Sequence, residues 1–425
     1  MTLYAGASRM DITPPPGLPM AGYVDRKGLA VGAHDPLYVR ALYVGDEGCE
    51  LVFLLLDLVR VEGVLLDSVK RSVEAATGVK NVIIAATHTH SGPEVSLGMW
   101  STQDVGLKRG EVEEYIRFVA RRCASVALEA VERAEPVEIA ISRGMAKGIA
   151  TNRIDPSKAI DEEVVTLSLW GSSGLVAILS NFACHPTVLS ALNTLYSGDF
   201  FGFAASEAEE ALGRTVIVSN GAAGNVSTRF SRTGCGFDEV ARMGRNLALA
   251  ILGSVIEDGG AKCKDCIQMY TVRRSFKARE IPSLSELEEM KERVSAEIEK
   301  AKREGVKDGY LRVLLSKLYA FEVLAKRLRF GIPSRVDVEV SVVRLCNTYI
   351  VTFPGELFVE YQLRLKELGR AKGKNMVLVG YANGYVGYVP YKTYSSVECY
   401  ETLVSLIDPS EYEAVEEFLL EAVGK

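Results

Sequence analysis

The stretch Asn81–Glu94, NVIIAATHTHSGPE, runs from an unbroken apolar segment into two histidines and a turn. The chain has 425 residues and only 4 histidines, so this motif holds a concentration of its imidazoles. The run Val82–Thr87 has no polar alternation, which predicts a strand buried on both faces. Residues two apart in an extended chain point the same way. His88 and His90 are therefore expected to project together past the strand end, before Ser91-Gly92-Pro93 turns the chain. The ends of buried strands are where α/β sheets place their ligands.

Two further stretches repeat this design. LVAILSNFACHPTVLS reads as a strand ending at His185-Pro186, and NTYIVTFPGELF as a strand, then Pro354-Gly355, then Glu356. Imidazoles and a carboxylate at separate strand ends are the donor types zinc takes, and an open catalytic zinc site often has three protein ligands plus water. The competing reading makes each histidine a hydrogen-bonded turn residue; spacing alone does not show that the ends meet.

Around these motifs, short Val- and Ile-rich runs alternate with helical patterns. Strands are expected at Tyr38–Val44, Leu51–Leu56, Val137–Ile141, Val164–Trp170, Leu175–Ser180, Val216–Ser219, Val338–Leu345, Tyr349–Phe353 and Met376–Tyr381. Helices are expected at Val64–Ala76, Val112–Arg133, Ala204–Leu212, Phe237–Ile256, Leu357–Leu368 and Ser410–Ala422. The mixture predicts one α/β domain over residues 1–425, with central mixed β-sheets flanked by α-helices. Residues 281–333 differ, being charged and purely helical. SLSE offers a capping box from Ser283 to Glu286. Apolar residues then follow at three-to-four spacing through Leu287, Val294 and Ile298, and again through Leu314, Leu318 and Phe321. An inserted antiparallel helical hairpin is expected, each arm roughly 30 Å long. It is a self-packed protrusion, a contact for a homo-oligomer, or an arm over a site's mouth.

Hydrophobic residues at 48% and charged residues at 24% give an ordinary globular balance. The net charge of −6, without a basic stripe, argues against nucleic-acid partners. No apolar run is long enough for membrane insertion, and MTLYAGASRMDITPPPG lacks the pattern of a secretory leader, so a cytoplasmic location is expected. CKDC, with Cys263 and Cys266, reads as two loop thiols or a local disulfide rather than a metal or redox site. His34 reads as structural.

Taken in order, RMDITPPPGLPMAGY, GAHDPLYVRALYV, LDL, ATHTHSGP, TNR, NFACHPT with SGDFFGFA, SNGAAGNVS, FPGELF and GYANGYVGYVPYKTY with CYE resemble the neutral (non-lysosomal) ceramidase family in its N-terminal catalytic domain. THTHSGP is the most specific of these. The resemblance implies a zinc ion held by His88, His185, Glu356 and Tyr388. It implies His90 as a proton-transfer partner, and Arg153, Ser227 and Tyr400 as residues that hold the scissile amide. It implies metal-assisted hydrolysis of a ceramide-like or smaller N-acyl amide. The chain departs from the pattern in Thr228-Arg229 after GNVS, where the family usually has Pro-Asn, and in the hairpin. GAAGN resembles a loop that exposes backbone N–H groups, but it is not a serine-nucleophile elbow. Hydrolysis of an ester, lactone or phosphoester stays open, the last through Asp35, Asp57 and Asp199, as does a non-catalytic ligand-binding role.

Overall fold

Three pairs of apolar strands dominate the architecture, and each pair is parallel. Glu50–Leu56 runs beside Asn81–Ala86, Gly174–Phe182 beside Thr215–Asn220, and Thr348–Thr352 beside Asn375–Val379. Parallel neighbours need a crossover. Helices Gly63–Thr77, Asp199–Leu212 and Val359–Ala371 supply it in turn. The chain thus uses one strand–helix–strand device in three different sheets. This explains the unbroken apolar runs, because both faces of these strands are covered; in Glu50–Leu56 only Glu50 is exposed.

Antiparallel strands complete each sheet. The first has the order Asn81–Ala86, Glu50–Leu56, Tyr38–Gly45, Tyr4–Asp11, Glu135–Pro136. The second runs Thr215–Asn220, Gly174–Phe182, Glu163–Gly171, Glu138–Met145. The third runs Ile267–Lys277, Arg335–Leu345, Thr348–Thr352, Asn375–Val379. This computed structural model describes residues 2–255, 266–306 and 308–424. The expected mixed-sheet α/β class is the one found. Two long strands were not expected. Tyr4–Asp11 is short of large apolar side chains, and Ile267–Lys277 is an edge strand carrying the charges that edges favour. The helix expected from Ala204 begins at Asp199, because SGDFFG reads locally as a turn.

One buried cluster joins the sheets, with Phe53 and Ile83 from the first, Leu179 and Ile217 from the second, and Val343 and Val377 from the third. Backbone bonds stitch their ends together. Ala86 N donates to Tyr381 O at 3.2 Å and Gly380 N to Asn220 O at 2.9 Å. Asn220 Nδ2 donates to Thr87 O at 3.1 Å. The C-terminal ends of all three parallel pairs therefore meet at one place.

Helices Leu284–Arg303 and Asp308–Phe330 lie between the paired strands Ile267–Lys277 and Arg335–Leu345. Ser283 closes the expected capping box with Glu286. Leu287, Val294, Ile298, Phe321 and Leu324 share a buried cluster with Phe353, Leu357 and Tyr388, so the hairpin is docked onto the body rather than standing clear of it. Among the described residues, no helix is long and apolar enough to cross a membrane. Cys266 is an exposed free thiol; its CKDC companion Cys263 lies outside the described residues.

Candidate metal centre

The first strand pair delivers two imidazoles, by a route the extended-chain reading did not foresee. The strand stops at Ala86, and His88 adopts the left-handed region with φ +69°. His88 N bonds Leu58 O at 2.9 Å, which turns the chain across the sheet end. The two rings still meet, with His88 Nε2 and His90 Nε2 3.3 Å apart. A bend unusual for a non-glycine residue brings them together, in place of strand alternation. His90 also packs on Gly22, where a Cβ would come within 2.4 Å of the imidazole.

The other donors follow the strands as expected. His185 lies three residues beyond Phe182 and Glu356 four beyond Thr352. His88 Nδ1 faces Val59 O and His185 Nδ1 faces Ala223 O, each at 2.6 Å. A carbonyl only accepts, so both Nδ1 atoms carry the proton and both Nε2 atoms present a lone pair. Glu356 Oε1 accepts from Tyr385 Oη. Its buried Oε2 lies 2.9 Å from His185 Nε2 and 3.4 Å from His88 Nε2, yet has no hydrogen-bond partner. Three atoms able to donate a lone pair to a cation thus face one point.

Burial, with help from Arg153, drops the His185 imidazole to about 4. Burial likewise holds His90 well below its ordinary value, with His88 and His185 adding to the effect. Burial pushes the Glu356 carboxyl up, but His88 and His185 override it and hold the group well below the usual range. Nitrogen and carboxylate donors so arranged fit a divalent cation such as zinc. Tyr388 Oη, 3.4 Å from His185 Nε2, stands at the edge of the cluster and accepts from Arg153 Nη2 at 2.9 Å. Burial raises its pKa well above 10, against the pull of Arg153. The ring nitrogens of His88, His90 and His185 also lie close enough together to share a cation, so His90 is an alternative donor. The orphaned Oε2 favours Glu356.

A cavity of about 70 Å³ opens beside the cluster, lined by His88, His90, Glu356, Tyr385, Tyr388 and Tyr400 on one side and by Trp100, Lys326 and Arg327 on the other. Arg153 and Ser227 are not on its wall. Arg153 is engaged by Tyr388 and, at 2.6 Å, by Glu401 Oε1. Ser227 pairs with His185 through the backbone, and its Oγ accepts from Arg229 N at 3.2 Å. Within the GAAGN loop, the N–H groups of Gly221, Ala222 and Gly224 donate within the protein, Gly224 to Leu357 O at 2.8 Å. A Cβ at Gly224 would come within 2.4 Å of Glu356 O, so glycine permits this contact with the ligand-bearing turn.

The aspartates of the phosphoester reading are held elsewhere. Asp57 pairs with Arg40 at 3.2 Å, Asp199 accepts from Phe200 N at 2.7 Å, and Asp35 faces His34 at 3.0 Å. None joins the histidine group. His34 stacks on Phe237 at 3.6 Å and does not line the cavity. Sequence reading missed Tyr385, Glu401, Lys326, Arg327 and Tyr381, whose ring stacks on His88 at 4.0 Å. None of them carries a periodic or spacing signal.

The profile of the family described as neutral/alkaline non-lysosomal ceramidase, N-terminal, matches residues 3–264. Neutral ceramidase 2 of Arabidopsis thaliana is 28% identical over 251 residues, which cover 54% of this chain and 32% of the relative. Neutral ceramidase of Mycobacterium tuberculosis is 25% identical over 222 residues, covering 46% and 33% respectively. The match thus spans about a third of the length of these curated relatives. The crystal structure of neutral ceramidase from Pseudomonas aeruginosa superposes with a TM-score of 0.75 at 20% identity, over 99% of this chain and 74% of that one, a likeness of fold. By the extent of the profile match, the chain belongs to the neutral/alkaline non-lysosomal ceramidase family.

Proposed function

We propose that this protein is a zinc-dependent hydrolase of an amide bond in an N-acyl compound. The observation that carries the reading is the facing set His88 Nε2, His185 Nε2 and Glu356 Oε2, buried, with Oε2 lacking a hydrogen-bond partner. Tyr388 would complete the donor set. Zinc held there supplies Lewis acidity and makes water nucleophilic near neutral pH.

The chain's own residues account for the rest. Tyr385 fixes the orientation of the Glu356 carboxylate. His90, neutral and on the cavity wall, is placed to take a proton at Nε2 and pass it to the departing amine. Burial raises Tyr400 to about 12, so its phenol stays protonated and can donate to an oxyanion in the cavity. Arg153 acts through Tyr388, which it holds by a hydrogen bond. The relatives' names point to ceramide, an N-acyl lipid. The small cavity favours a compact group around the scissile amide.

His88→Ala and His185→Ala should each abolish zinc binding and chelator-sensitive hydrolysis of N-acyl amides. Full zinc retention by both variants would overturn the assignment. Turnover of phosphoesters but no amides in the same screen would overturn the choice of bond.

A further inference from the structure

The second arm of the hairpin brings Lys326 and Arg327 to the cavity wall. Arg327 is only 5% exposed. Buried charges are ordinarily paired, and three other buried arginines obey that rule: Arg40 faces Glu209, Arg60 faces Glu94 and Arg153 faces Glu401. Arg26 instead meets the carbonyls of Ala21 and His90. Arg327 has no carboxylate partner among the described residues. Its Nη1 donates to Val404 O, and its guanidinium sits 4.5 Å from the centre of the Trp100 ring. Its Nε is buried with no hydrogen-bond partner. Lys326 Nζ is likewise held by carbonyls alone, Ser101 O at 2.7 Å and Gln103 O at 3.3 Å. Glu322 on the same arm is exposed at the mouth and pairs with neither cation, and Glu356 is committed to the metal cluster.

We propose that Arg327, assisted by Lys326, binds a carboxylate carried by the substrate close to its scissile amide, so that the substrate class is an N-acyl amino acid rather than a neutral N-acyl lipid. This rests on the amide-hydrolase reading above. With Nη1 engaged, the Nε edge of the guanidinium is free to meet a planar carboxylate with two parallel bonds. Such an anion would supply the missing counter-charge. The cavity of about 70 Å³ is smaller than the ~150 Å³ that admits benzene. It therefore suits a small charged group, with the acyl chain directed toward the mouth.

The test compares N-octanoylglycine with its neutral isostere N-octanoylglycinamide on the zinc-loaded full chain. Wild type should favour the carboxylate in kcat/KM by at least about tenfold. Arg327→Met should shrink that ratio by at least about tenfold, chiefly through KM, and Arg327→Lys should keep part of it, having charge without the planar edge. Equal or better use of the neutral amide by wild type overturns the proposal, as does an unchanged ratio in Arg327→Met. If Arg327→Met does not fold, Lys326→Met is the second variant and should lower the ratio by about threefold; an unchanged ratio there removes Lys326 from the site. If neither these nor ceramide-like amides are cleaved, the amide-hydrolase reading fails, and calorimetric binding of the two compounds decides this proposal separately. Tighter binding of the carboxylate that is lost in Arg327→Met supports it, and equal binding overturns it.

Discussion

Tyr385→Phe isolates a single bond in the proposed centre. The tyrosine donates its hydroxyl to Glu356 Oε1, which leaves Oε2 to face the two imidazoles. Its ring packs edge-on against Trp100 at 4.8 Å and lies under Arg60, contacts that phenylalanine keeps. The substitution therefore removes one donor from a buried carboxylate and little else. Outer contacts that orient a ligand contribute about 10–100-fold to metal affinity, or ~1.4–2.7 kcal/mol. The metal-free protein should also lose ~1–3 kcal/mol, because Oε1 is left buried without a partner. Zinc competition against a chromophoric chelator reads the first quantity, and urea unfolding of the chelated protein reads the second. A variant that binds zinc within twofold of wild type, yet shows the stability loss, would refute Glu356 as a ligand. It would shift the third donor to His90.

Two further outcomes concern charges away from the metal donors. Glu94 holds Arg60 at 2.9 Å, with both side chains almost wholly buried. Glu94→Gln leaves a buried guanidinium without its counter-charge and should cost ~3–5 kcal/mol in urea unfolding; a loss below ~1 kcal/mol would mean water reaches Arg60. Glu239 is held at about 2 by its hydrogen bond to Arg242, against an opposing effect of burial. A depressed carboxylate contributes stability above its unfolded pKa of about 4.5 and loses it as pH falls through about 2. Arg242 is 48% exposed, so screening reduces the contribution to ~1 kcal/mol. Glu239→Gln should cost that much at pH 7 and nothing at pH 2, and a cost that persists at pH 2 would assign the effect to packing.

The candidate metal donors His88, His185 and Glu356 were legible because each follows a long apolar strand, and strand runs buried on both faces are the strongest signal in such a chain; Tyr388 was reached only through the family resemblance. The reason for the His88–His90 contact was not legible. Alternation along a strand predicts a shared face, whereas His88 leaves the strand in a left-handed bend. Nor were Tyr381 and Tyr385. They sit in a loop that bends through positive φ at Tyr381 (+56°) and Asn383 (+57°), and a loop tyrosine has no period to betray it. Arg327 was hidden for a different reason. It lies in a charged helix between Leu324 and Leu328, where a basic residue reads as a solvated face. Only the docking of that helix turns Arg327 inward.

The insertion point explains how a roof could be added without disturbing the metal cluster. Strands Ile267–Lys277 and Arg335–Leu345 pair antiparallel along their whole length, closing at Lys277 opposite Arg335. Ala278 N still donates to Ser334 O at 3.1 Å beyond that point. The two helical arms therefore occupy the loop of a β-hairpin whose register is set before they begin. Loop-closure entropy rises only slowly with length, so such an insertion is tolerated thermodynamically. The candidate metal donors hang instead from the ends of the parallel strand pairs of three sheets, tied to one another by backbone bonds. The elements that would hold the metal and the element that would select the substrate are thus built on separate parts of the chain. Under the proposed function, a change in the hairpin would alter which amide is accepted while His88, His185 and Glu356 stay where the sheet ends put them.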